Sequence, residues 1–74
     1  MPKVTKENYI KWVNWVNESL EEINFRTCGT YTLGYRGKHH KICLIEEIYN
    51  VVLAYGMRDI THYVLLLKRR YELK

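Results

Sequence analysis

The chain has 74 residues, 47% of them hydrophobic, and carries twelve Lys and Arg against eight Asp and Glu. This apolar fraction excludes a disordered segment, and the length favours one small domain, residues 1–74, with a limited core. A net charge of +4 permits contact with nucleic acid or an acidic protein and requires neither. We find no apolar stretch near the roughly 18 residues of a membrane span and no apolar run typical of a signal peptide. We therefore expect a cytoplasmic protein with no membrane partner.

The first predicted element is an amphipathic helix over about residues 5–24. Thr5 is a residue type that caps helix starts. Apolar side chains recur at helical spacing and predict one stripe for the core: Tyr9, Trp12, Val13, Val16, Leu20 and Ile23. Trp15 lies outside this stripe, among charged residues. Its ring either covers neighbours along the helix edge or anchors a partner.

Residues 28–44 have the alternation and the glycines of a β-hairpin. A two-residue turn at Arg36 and Gly37 would pair Tyr35 with Lys38 and direct one face toward the helices. This inward set comprises Tyr31, Leu33, Ile42 and Leu44. The opposite face is polar and slightly basic, so it is predicted to face solvent or a ligand. It comprises Thr30, Thr32, His39, Lys41 and Cys43.

The rest of the sequence returns to helical spacing and predicts two more helices, giving an α-β-β-α-α order in the α+β class. The first would cover residues 46–55 and end at Gly56, with a stripe of Ile48, Val51, Val52 and Tyr55. Asp59 would cap the last helix, which would run to about Leu73. Its inward side would hold Ile60, Tyr63, Val64, Leu67 and Tyr71. Leu65 and Leu66 then lie on its flanks, which favours a homodimer through this helix or the hairpin edge.

Metal binding and catalysis both lack a suitable arrangement of residues. Cys28, His39, His40 and Cys43 are zinc-ligand types, but consecutive strand residues point to opposite faces and no close cysteine pair exists. We therefore expect reduced thiols and no bound metal. No nucleophile, base and orienting group are placed together, and no glycine-rich phosphate loop precedes a helix. The sequence predicts neither an enzyme nor a cofactor.

Basic side chains form two clusters. One is at the predicted hairpin tip beside Tyr35, where cations and an aromatic ring suit phosphate contact and base stacking. The other is at the end of the last helix, where the helix dipole also favours cations. The predicted partner-binding residues are Trp15, Tyr35, Arg36, Lys38, His39, Lys41, Leu65, Lys68, Arg69 and Arg70.

These features predict a small non-enzymatic binding protein, a regulator or inhibitor that engages a protein or nucleic acid by surface contact. Compact chains without motifs are common among phage and mobile-element proteins of this kind. An alternative follows from residues 39–71, whose predicted order of strand, helix, glycine and helix resembles the ribbon-helix-helix repressors. That resemblance implies a sequence-specific DNA-binding repressor in which the strands of two chains pair. Its major-groove contacts would be His39, Lys41 and Cys43.

Overall fold

Two helices and a three-stranded antiparallel sheet make up the described part of the chain, residues 4–37 and 39–73 of a computed structural model. The elements in chain order are α1 (Lys6–Thr27), β1 (Tyr31–Arg36), β2 (Lys41–Glu46), β3 (Val51–Tyr55) and α2 (Gly56–Arg70). The strand order is β1-β2-β3, and both helices contribute to one core on one face of the sheet. The predicted α+β class is confirmed. No described helix combines the length and apolarity needed to cross a membrane.

Helix α1 forms where its apolar stripe predicts it. Thr5 is the N-cap, and its hydroxyl oxygen accepts a hydrogen bond from the backbone N–H of Asn8 at 3.1 Å. The helix continues to Thr27 and ends at Cys28, whose φ of 57° is left-handed. All six predicted stripe residues contribute to the core: Val16, Leu20 and Ile23 are buried, and Tyr9, Trp12 and Val13 pack against them.

The predicted register of the hairpin is wrong. Tyr35 lies opposite Ile42 and Arg36 opposite Lys41, so the connection between β1 and β2 is longer than the predicted two residues. Positive φ angles at Gly37 and His40 allow this longer turn. Because the pairing is displaced by four residues, an even number, each side chain keeps its predicted face. The inward set is confirmed: Ile42 and Leu44 are buried, and Tyr31 and Leu33 pack against them.

The predicted helix over residues 46–55 does not form. Glu46 ends β2, a turn follows, and Val51–Tyr55 forms β3, antiparallel to β2. Thr30 anchors the turn, because its carbonyl accepts from Glu47 N–H and its hydroxyl accepts from Ile48 N–H. These contacts and the β-branched residues of β3 outweigh the helical spacing. Of the predicted stripe, Ile48, Val51 and Tyr55 are exposed.

Helix α2 therefore begins earlier than predicted, directly after β3. Gly56 has the expected left-handed φ of 80°, but it opens α2 rather than ending a helix. Asp59 lies in the first turn, and Tyr55 is the N-cap. The inward set is confirmed: Ile60, Val64 and Leu67 are buried, and Tyr63 and Tyr71 pack against them. The order of elements behind the ribbon-helix-helix resemblance is absent, since it required the missing helix.

The outer face of the sheet is less polar and less accessible than predicted. Cys43 and Ile45 lie on this face of the central strand and are only 0% and 4% exposed. Gly34 leaves room for Ile45, whose Cδ1 lies 2.7 Å from the position that a Gly34 side-chain carbon would take. Arg36, at the end of β1, donates a hydrogen bond to Asn50 Oδ1 at 2.9 Å. The middle of this face is therefore inaccessible to solvent, and Cys43 is not a solvent-facing residue.

The two helices run side by side in the same direction. Trp12 Nε1 donates to Thr61 Oγ1 at 2.7 Å, and Lys68 Nζ donates to Ser19 Oγ at 3.5 Å. In each pair the two residues are 49 positions apart in the sequence, so the helices stay in the same register along their contact. Helix α1 lies along β1, whereas α2 lies across β2 and β3. One side of each helix remains on the surface of the molecule.

Candidate interaction surface

The outer face of α2 exposes two adjacent leucines. His62, Leu65, Leu66 and Arg69 line a shallow groove there, which we call the α2 groove. Leu65 and Leu66 are 50% and 58% exposed. Leu65 and Leu66 each lie three or four positions from His62 and from Arg69, so all four residues share the side of the helix opposite its buried stripe. The groove therefore combines an apolar centre with a guanidinium and an imidazole.

Trp15 and Lys68 lie at the contact between α1 and α2. The Trp15 ring is partly buried against the core, and Lys68 Nζ lies 5.6 Å from its centroid. This position matches the interpretation of Trp15 as a ring along the helix edge. Arg70 similarly lies 5.9 Å from the ring of Tyr71. Of the three predicted basic residues at this end of α2, Arg69 alone lines the α2 groove.

The hairpin end comprises Tyr35 and the turn residues Gly37, His39 and His40. Tyr35 is exposed, and its hydroxyl lies 3.0 Å from that of Tyr9. This hydrogen bond is the largest of the causes that raise the pKa of Tyr9 to about 12; burial and repulsion by ionised Tyr35 add to it. His39 and Lys41 are exposed as predicted, whereas Lys38 lies outside the described residues. Arg36 is held by Asn50, so it is not solely a tip cation.

The described members of the predicted partner-binding set do not form one site: they lie at the hairpin end, in the α2 groove, at the contact between α1 and α2, and at the end of α2. The hairpin end lies near the N-terminal ends of both helices, because Tyr35 contacts Tyr9 and Lys41 Cε lies 3.1 Å from where a Gly56 side-chain carbon would be. The α2 groove lies farther along α2. A partner that uses one surface therefore leaves the other available.

Two exposed apolar features were not predicted. Phe25 is 91% exposed on α1. It lines a groove together with charged residues of α1 and two residues that follow α2. These residues are Glu18, Glu21, Glu22, Arg26, Glu72 and Leu73. Its position off the core stripe is the signal that could have identified it. Ile48 and Tyr49 project from the β2–β3 turn, and the mistaken helix over residues 46–55 concealed them.

The cysteines and histidines do not come together in the described residues. No group of three or more His, Cys, Asp or Glu side chains there could hold a metal ion. Cys28 is exposed at the end of α1, and Cys43 is buried in the sheet. The two thiols therefore occupy different environments.

The sequence matches no protein-family model, and no curated protein or solved structure shows significant similarity to it. A function must therefore be argued from the surfaces of this molecule.

Proposed function

We propose that the chain is a small non-enzymatic binding protein, a regulator or inhibitor that engages a partner protein through the α2 groove. The observation that carries this proposal is the exposure of Leu65 and Leu66 side by side on α2. The core does not require them, because Ile60, Val64 and Leu67 provide the buried contacts of this helix. Apolar side chains grouped within a polar surround are typical of protein contact sites.

The charge around the groove indicates the chemistry of the partner. Arg69 lines the groove, and the chain as a whole carries a net charge of +4. A complementary partner surface would be acidic around an apolar centre that meets Leu65. Most of the affinity would come from the apolar contact and its exclusion of water.

The test compares two exposed apolar residues on different surfaces. Leu65→Glu alters the α2 groove, and Ile48→Glu, in the β2–β3 turn, is the matched control. A pull-down from the native cell, with nuclease treatment, should capture the same partner with the parent chain and Ile48→Glu but not with Leu65→Glu. Circular dichroism melts establish that both variants fold. Equal capture by all three chains would contradict the proposal.

Nucleic-acid binding at the hairpin end is a second candidate. Tyr35 is exposed at the end of β1, and His39 and Lys41 are exposed in the following turn and at the start of β2, so this end of the hairpin offers a ring for stacking and groups for phosphate contact. Such binding would weaken steeply with added salt through counterion release, whereas a contact based on Leu65 would not. Lys41→Ala should reduce the salt dependence of nucleic-acid binding, with Leu65→Glu as the control. Affinity that does not change with salt would contradict this second candidate.

A further inference from the structure

The two edges of the sheet differ, because helix α1 covers the start of one and the other is open. On β1, the Asn24 amide accepts from Tyr31 N–H at 2.8 Å and donates to Tyr31 C=O at 2.9 Å. Helix α1 therefore blocks the beginning of this edge. On β3, no hydrogen bond outside its ladder with β2 involves the backbone of residues 51–55 within the described chain. The strand has the sequence VVLAY, without the charges or proline that commonly protect an exposed edge, and its ladder with β2 has one register shift, between Leu44 and Ile45.

One flank of α2 borders this open edge. Thr61 and Lys68 face α1, as their hydrogen bonds show. At 3.6 residues per turn, the opposite flank carries Asp59, Tyr63, Leu66 and Arg70, spaced four, three and four residues apart. Because α2 lies across β2 and β3, this flank points beyond β3. Leu66 there is more than half exposed, and Tyr63 is partly buried.

The flank is complementary to itself in the antiparallel direction. The midpoint between Asp59 and Arg70 in the sequence coincides with the midpoint between Tyr63 and Leu66. A two-fold axis at this midpoint, perpendicular to the sheet, places each Asp59 opposite Arg70 of a second copy and each Leu66 against its Tyr63. The same axis makes β3 antiparallel to β3 of the second copy, which is the direction that extends this sheet.

We propose that the chain forms a homodimer through β3 and the flank of α2 that carries Leu66. The result is a six-stranded antiparallel sheet with four helices on one face. The interface is isologous, with one patch used twice, and the closed start of β1 opposes further growth at the outer edges. The dimer covers Leu66, one of the four residues that line the α2 groove, and leaves Leu65 accessible in both copies. The inference rests on the β3 edge and this flank of α2, not on the proposed function.

Sedimentation equilibrium of the intact chain over a range of concentrations tests the interface. The parent should dissociate from a dimer to the 9.0 kDa monomer on dilution. Leu66→Glu should raise the dimer dissociation constant by more than about tenfold, because it buries carboxylates in an apolar contact. Leu65→Glu, the adjacent leucine on the outer face, is the matched control and should leave that constant unchanged. A parent that remains monomeric at every concentration, or a dimer that Leu66→Glu and Leu65→Glu affect equally, would overturn the proposal.

Charge exchange tests the antiparallel arrangement. Asp59→Arg alone and Arg70→Asp alone each place like charges opposite one another and should weaken the dimer. The double variant restores opposite charges and should dimerise more tightly than either single variant. Melting curves at low concentration report whether each monomer folds. A double variant no tighter than the single variants would overturn this arrangement.

Discussion

The hydroxyl groups of Tyr9 and Tyr35 join the first helix to the hairpin end. They lie 3.0 Å apart, and their hydrogen bond is the main reason that the pKa of Tyr9 rises to about 12 from the usual 10.0. Burial, followed by the nearby Glu46 carboxylate, also raises the pKa of Tyr31. Both shifts favour neutral tyrosine in the folded chain, so raising the pH lowers the stability of the folded state relative to the unfolded state.

This hydrogen bond predicts a loss of stability in alkaline solution. The folded state retains the Tyr9 proton to higher pH than the unfolded state does. The stabilisation of the folded state by this hydrogen bond is therefore complete below about pH 10 and is lost between about pH 10 and pH 12. Tyr35→Phe should lower the pKa of Tyr9 toward its usual value and reduce this pH dependence. Tyrosinate absorbance and melting temperature measure the two effects. Tyr49→Phe is the control, because Tyr49 is 74% exposed; identical titrations of the parent and Tyr35→Phe would contradict the assignment.

At the scale of the elements, Asn24 attaches β1 to α1. Its amide satisfies both backbone groups of Tyr31, as a neighbouring strand would. Asn24→Ala should reduce the free energy of unfolding by about 1–3 kcal/mol, because it leaves two partly buried polar groups without partners. Asn17→Ala, at an exposed position of the same helix, should change it by less than about 0.5 kcal/mol. Denaturant unfolding followed by circular dichroism compares the two, and equal losses would show that Asn24 does not attach β1.

The sequence predicted the elements whose signals are local. The stripe from Tyr9 to Ile23 identified α1, and the inward set of α2 followed from the same spacing. The inward face of the hairpin was also predicted correctly, although its register was not, and Cys43 on the outer face is buried rather than facing solvent. The helix predicted over residues 46–55 is absent. The spacing of its apolar residues suits a helix, but the hydrogen bonds that hold the turn after β2 come from Thr30, in another part of the chain. Local periodicity does not reveal such long-range pairing.

The same distinction separates the predicted surface features from the missed ones. Spacing alone placed Leu65 beside Arg69 on the outer side of the last helix. It did not show that Lys68 lies over Trp15 or that Arg36 is bound by Asn50. These contacts join residues distant in sequence, so they depend on the packing of the helices and the sheet.

At the scale of the whole molecule, one core joins the helices to one face of the sheet. Val16 lies where α1 meets this core and is 0% exposed. Trp12 and Trp15 pack against the same cluster, so tryptophan fluorescence and the helical circular dichroism signal report on the same packing. We therefore expect both signals to change in one transition on heating, as small single domains usually do.

Val16→Ala should lower the stability of this whole unit. The lost burial and the remaining cavity should reduce the free energy of unfolding by about 2 kcal/mol. For a domain of this size that corresponds to a decrease in Tm of roughly 10 °C. Ile10→Ala is the control on the same helix, because Ile10 is 49% exposed and should change Tm by only a few degrees. Melts are compared at one protein concentration, since a second copy that binds the folded state would itself raise Tm. Equal decreases for the two variants would show that Val16 is not part of a shared core.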